Sequence, residues 1–148
     1  MTITDLDRIN AELMGAGARN PFGADIQPGA EVSGEIISVV RRHRHNRDGQ
    51  PLYWVNRKPV PGREGQGQPV IDSQLILDTD QREDEQDDGL RVVTLDRDVL
   101  RAINAGVRRA RAAGIDIGGR LDGLMFAGLD PSNNNRVYDL KGYTPPAA

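Results

Sequence analysis

From residue 30 onward the chain alternates branched apolar runs with polar breaks. Residues 31–41, EVSGEIISVVR, are rich in Val and Ile and carry Gly34 in their midst, the pattern of a strand with a sharp bend. VIDSQLILDT at 70–79 and LRVVTL at 90–95 have the same strand composition, with the acidic stretch 80–89 as the turn between them. From Asp96 the period changes. Val99, Ile103 and Val107 recur every four residues with Leu100 and Ala110 beside them, which predicts a helix over 96–113 that buries this stripe. Asp96 suits the N-cap, Asp98 the positive helix end and Gly114 the C-terminal cap. Gly118-Gly119 leads into a fourth strand, RLDGLMFAGL at 120–129. Asp130 to Asn134 is a strong turn signal, and RVYDLKGY at 136–143 is the fifth strand.

The N-terminal stretch has a different texture. Residues 4–14 predict a short helix capped by Thr4, with Leu6, Ile9 and Leu13 on one face. Residues 15–29, with Asn20-Pro21 and Pro28-Gly29, read as a linker. The domain plan is therefore a helical arm and linker at 1–29, one domain at 30–144, and a disordered tail at 145–148. Three strands, one helix and two strands is the element order of a mainly β, five-stranded OB-fold barrel, in which the helix plugs one end. Such a barrel holds its ligand across strands two and three and the loops 1–2 and 4–5. Here the loop 1–2 position is filled by a long insertion, residues 41–69, broken by prolines and glycines, in which PLYWV could form a short strand or a hairpin arm.

Composition sharpens that picture. The net charge of −3 argues against a polyanionic partner until its distribution is read. The insertion gathers Arg41, Arg42, Arg44, Arg47, Arg57, Lys58 and Arg63 against Asp48 and Glu64 alone, while 78–88 holds seven carboxylates and one arginine. Screening over ~8 Å at physiological salt lets separated patches of this kind act independently. The insertion also carries Tyr53 and Trp54 in a chain that is 4% aromatic. Cations neutralise phosphates and flat rings stack on unpaired bases, so this pairing of residue types suits a single nucleic-acid strand. Tyr53 and Trp54 are neighbours, so in an extended segment they point to opposite sides: one can stack while the other anchors the loop, or both can be anchors.

On the last two strands Leu121, Met125 and Leu129 share a side and read as core. Phe126 lies opposite them and either faces a ligand or fills the barrel, the second being preferred. Tyr138 and Lys141 complete the candidate nucleic-acid set, Lys141 as a phosphate contact near the 4–5 loop. Arg97, Arg101, Arg108, Arg109 and Arg111 on the helix read as a solvated face, and 78–88 as a solubilising turn. His43 and His45 form an H-x-H pair without a third ligand of suitable spacing, so no metal site is expected. No nucleophile–base pair or phosphate-cradling glycine loop is present, which argues against an enzyme and against a bound cofactor. The absence of cysteine excludes a disulfide framework and fits a reducing cytoplasm, and no apolar run is long enough to span a membrane.

The ordered segments resemble a family of small single-stranded-DNA-binding proteins encoded by phages of actinobacteria. The likeness runs through Pro28-Gly29-Ala30-Glu31-Val32-Ser33-Gly34-Glu35-Ile36, then Gly49, Pro51 and Trp54, then Leu77, Thr79 and Asp80, then Asp87-Asp88-Gly89. It continues through Ala113-Gly114 and Gly118-Gly119 to Tyr143-Thr144-Pro145-Pro146. It covers residues 28–146, with an insertion between Trp54 and Val70 that is longer and more basic than the family pattern. The resemblance implies an OB-fold acting in the host cytoplasm on single-stranded DNA, without sequence preference, during phage replication or recombination. Self-association into a homo-oligomer and contacts with replication or recombination proteins are further expectations. Rival readings are an OB-fold protein-interaction module of a replication complex and an RNA-binding chaperone.

Overall fold

A computed structural model describes residues 18–63 and 65–147. The helix expected at 4–14 lies outside the described residues. Among the described residues seven strands and one helix follow in the order β1 (Glu31–His43), β2 (Leu52–Val55), β3 (Lys58–Pro61), β4 (Ile71–Asp78), β5 (Leu90–Thr94), α1 (Arg97–Arg109), β6 (Arg120–Leu129) and β7 (Arg136–Thr144). The five strands and the helix expected from the pattern are all present, and the β2–β3 hairpin lies inside the insertion. The chain divides into two compact units, one of residues 18–40 and 74–147 and one of residues 41–73.

The main sheet has the strand order β5-β4-β1-β6-β7. Among the described residues no ladder joins β5 to β7, so the sheet is open where a barrel would close. β1 alternates strictly, burying Val32, Gly34, Ile36, Ser38 and Val40. Gly34 is required by close approach: a Cβ there would stand 2.5 Å from the Asp78 carbonyl oxygen. On β7 the helix packs just as closely, and a Cβ on Gly106 would meet Leu140 Cδ2 at 2.5 Å. The core gathers Val32, Ile36, Leu75, Leu77, Val93, Leu121, Leu124, Phe126 and Leu140 beneath Val99, Ile103 and Val107 of α1.

Two bulges change which residues of β6 face that core. Val32 pairs with Leu124 and Gly34 with Leu121, so three steps on β6 oppose two on β1. Gly123, at φ 63, sits in the extra step, and its N–H donates to Ser33 Oγ at 2.8 Å. The extra residue inverts the side-chain parity. Leu121 is therefore buried together with Leu124 and Phe126, while Met125 is only half-buried. A second shift, between Phe126 and Gly128 against β7, leaves Leu129 53% exposed. Met125 and Leu129, expected in the core, are thus displaced from it.

The helix is capped as expected at its start, where the Asp96 side chain accepts from Val99 N at 2.9 Å. It buries Ala102 and Gly106 and leaves Leu100 exposed, because the packed stripe is centred one step away from the expected one. It ends at Arg109 rather than near Ala113. Arg111 N donates to Arg108 O at 3.0 Å and Ala112 N to Val107 O at 3.1 Å, the paired bonds of a Schellman turn. Arg111, at φ 57, takes the left-handed position that Gly114 was expected to supply.

Residues 18–29, expected as a linker, belong to the packed unit. Phe22 is buried with its ring edge-on to Tyr138 at 5.1 Å, and Arg136 donates to the Phe22 and Gly23 carbonyls. Arg19 lies along the free side of β5: its N–H donates to Leu90 O and its carbonyl accepts from Val92 N.

Candidate nucleic-acid interface

The unit of residues 41–73 is built around the β2–β3 hairpin. Tyr53 stands opposite Val60 and Trp54 opposite Pro59. Asn56 and Arg57 form its two-residue tip at φ 52 and 65. A tip of this kind requires positive φ at both central residues, which explains why an Asn initiates it and makes an arginine an unusual second member. The hairpin is tied on its other side by main-chain bonds. Leu52 N donates to Arg44 O at 2.9 Å, Val70 N to Leu52 O at 3.0 Å, and Trp54 N to Gln68 O at 2.8 Å.

The two adjacent rings separate as an extended segment demands. Tyr53 is buried, edge-on to His43 at 5.0 Å. Trp54 is 44% exposed. His43 Nε2 donates to the Leu52 carbonyl at 2.7 Å and His45 Nδ1 to the His43 carbonyl at 2.8 Å. A carbonyl only accepts, so each of these ring nitrogens carries its proton, and both histidines brace the loop. Among the described residues no three His, Cys, Asp or Glu side chains gather as a metal site would need.

Arg41, Arg42, Arg44, Arg47, Arg57, Lys58 and Arg63 are all exposed. Arg44 brackets Asp72, with Nη2 at 2.6 Å and Nε at 3.0 Å from its two carboxylate oxygens. Hydrogen bonding to Asp72 raises the Arg44 pKa further above its ordinary value. The other six cations face no carboxylate within salt-bridge distance among the described residues. Among the described residues the unit thus offers six cations without a carboxylate partner, and its hairpin carries two of them, Arg57 and Lys58, with one exposed indole.

Two members of the expected set belong to the other unit. Tyr138 is buried, packed against Phe22 at 5.1 Å and Phe126 at 5.6 Å, and its hydroxyl accepts from Arg136 at 3.3 Å. It has no free face for a base, and we remove it from the set. Lys141 is exposed on β7 with Nζ 3.6 Å from the Glu31 carboxylate.

The acidic stretch is more than a solubilising turn. Arg91 and Asp87 are both buried and form a two-pronged ion pair at 2.8 and 2.7 Å. Asp87 also accepts from Glu83 N and Gly89 N. The Arg91 guanidinium first, and then these amides, hold the Asp87 carboxyl far below the usual carboxylate range. Arg19 pairs with Glu83 and Asp84 at 2.9 Å each. Nothing in a run of seven carboxylates singles out Asp87; the only sequence signal was Arg91 as the one charge inside an apolar strand.

No protein-family model, curated protein or solved structure matches this chain. No helix among the described residues is long and apolar enough to cross a membrane.

Proposed function

We propose that this protein binds single-stranded DNA without sequence preference, through the hairpin unit of residues 41–73 carried on a scaffold of OB type. The observation that carries the reading is the exposed Trp54 on the same hairpin as the exposed Arg57 and Lys58, which meet no carboxylate among the described residues. The guanidinium and ammonium groups capture the strand by releasing its counterions. Trp54 then stacks on an unpaired base, a contact worth about 1–3 kcal/mol. Such a surface reads no base edges, so it tolerates any sequence.

The scaffold supports the same reading. An OB barrel places its first strand between the second and the fourth, with the third and fifth outside them and the helix between strands three and four. The order β5-β4-β1-β6-β7, with α1 between β5 and β6 in the chain, follows that plan in an open form. The phage-family resemblance adds the setting, protection of unpaired strands during phage replication or recombination.

Trp54 is the only tryptophan, so its fluorescence reports on the site directly. Titration with oligo-dT at two salt concentrations is expected to quench it strongly, with weaker binding at the higher salt. Matched RNA added in a parallel titration distinguishes a DNA preference from an RNA one. Tight binding with an unchanged indole signal, or binding indifferent to salt, would contradict the mechanism.

A further inference from the structure

We propose that the outward face of α1 is a second nucleic-acid contact, a row of guanidinium groups that takes phosphates of a bound single strand. The inference rests on the single-strand reading above, although it concerns a different part of the molecule.

Arg97, Arg101 and Arg108 are exposed at helical spacings of four and seven residues, with Asn104 between the last two and Arg111 just beyond the helix end. At 3.6 residues per turn this row lies opposite the buried Val99, Ala102, Ile103 and Gly106. From Arg97 to Arg111 the rise is about 20 Å, enough for several phosphates. Among the described residues the row meets one carboxylate, Asp98, whose Oδ1 is 4.0 Å from Arg97 Nε.

A helix face kept for solubility mixes signs and gains from Glu–Lys pairs four residues apart. This face does the opposite. Arg97 and Arg101 are like charges at that spacing, and Arg97 occupies the first turn, where the helix dipole disfavours a cation. The planar fork of arginine suits the paired oxygens of a phosphate. Arg111 adds a backbone argument: it holds a left-handed turn position, φ 57, where glycine is the easier occupant. The neighbouring groove between α1 and β7, about 230 Å³, mixes Arg101, Arg109 and Arg136 with Asp98 and Asp139. The groove shares Arg101 with the row and nearly balances its charge, three arginines against two aspartates, whereas the outer face adds Arg97, Arg108 and Arg111.

The test compares full-length wild type with two variants, Arg101→Gln/Arg108→Gln/Arg111→Gln on the helix and Arg57→Gln/Lys58→Gln on the hairpin. Binding of oligo-dT is followed across a salt series, with circular dichroism as the check on folding. The slope of log K against log salt is expected to fall by roughly 0.7 per lost phosphate contact, about 2 for the helix triple and about 1.4 for the hairpin pair. The single variant Arg108→Gln leaves the Arg111 turn untouched and is expected to lose about 0.7 alone. A wild-type slope in the helix variants, with a reduced slope in the hairpin pair, overturns this inference and leaves the hairpin reading standing. Failure of wild type to bind oligo-dT removes both. Loss of self-association in the helix triple with unchanged DNA binding assigns the face to the acidic loop of a second copy and overturns the inference as well.

Discussion

Arg57 and Arg111 share a left-handed backbone, at φ 65 and 57, in two turns that glycine would occupy with less strain. Among the described residues the other non-glycine residues at positive φ are Asn56 and Asn134, whose short polar side chains tolerate that conformation. Each arginine is exposed and, among the described residues, meets no carboxylate within salt-bridge distance. Arg111→Gly is therefore expected to stabilise the fold by about 1 kcal/mol, since relief of the turn exceeds the extra freedom of the unfolded chain. The same exchange should flatten the salt dependence of DNA binding. Urea midpoints and salt slopes measured on one preparation check both effects, and a lowered midpoint would show that the turn is not strained.

The opposite placement of Tyr53 and Trp54 separates stability from binding. Tyr53→Ala removes a buried ring packed on His43 and is expected to destabilise by roughly 3 kcal/mol, read as lost hydrogen-exchange protection across 41–73. Trp54→Ala leaves the urea midpoint near wild type and weakens oligo-dT binding by about 1–3 kcal/mol, measured by anisotropy. The reverse pattern would exchange the roles of the two rings.

Acid sensitivity follows from Asp87. Its folded pKa is depressed, chiefly by Arg91, so the unfolded chain takes up the proton more readily. The stabilisation is complete above the unfolded carboxylate value of about 4 and is lost as pH falls below it. Asp130, whose pKa is lowered by the Ser132 amide and hydroxyl, acts in the same direction. Thermal midpoints are expected to be flat near neutrality and to drop below about pH 4. Arg91→Gln should lower the midpoint at neutral pH and reduce the slope of its fall in acid. An unaltered acid profile in that variant would take the pair out of the explanation.

Most of the element order was legible because branched apolar runs and a four-residue period identify strands and helix locally. The inward side of β6 was not, because one inserted residue near Gly123 and another near Ala127 invert parity, and neither leaves a local mark beyond a glycine. Phe22 was hidden in a segment whose Asn20-Pro21 and Pro28-Gly29 signals describe turns but not what the turns pack against. The hairpin could be expected from PLYWV, and the opposition of its two rings from the two-residue strand period. Which ring faces inward depends on His43, a contact made across nine residues of irregular chain. Tyr138 carries the same polar–apolar ambiguity as Tyr53, and only the packing of Phe22 and Phe126 resolves it.

The main-chain bonds of Arg19 to Leu90 and Val92 have a further consequence. They cover backbone groups along the rim of the sheet that would otherwise be free to recruit another molecule's strand. A version of the chain starting after Asn20 would bare that rim and lose the Arg19 clasp on Glu83 and Asp84. This short strap therefore shields part of the β5 rim from strand addition by another molecule.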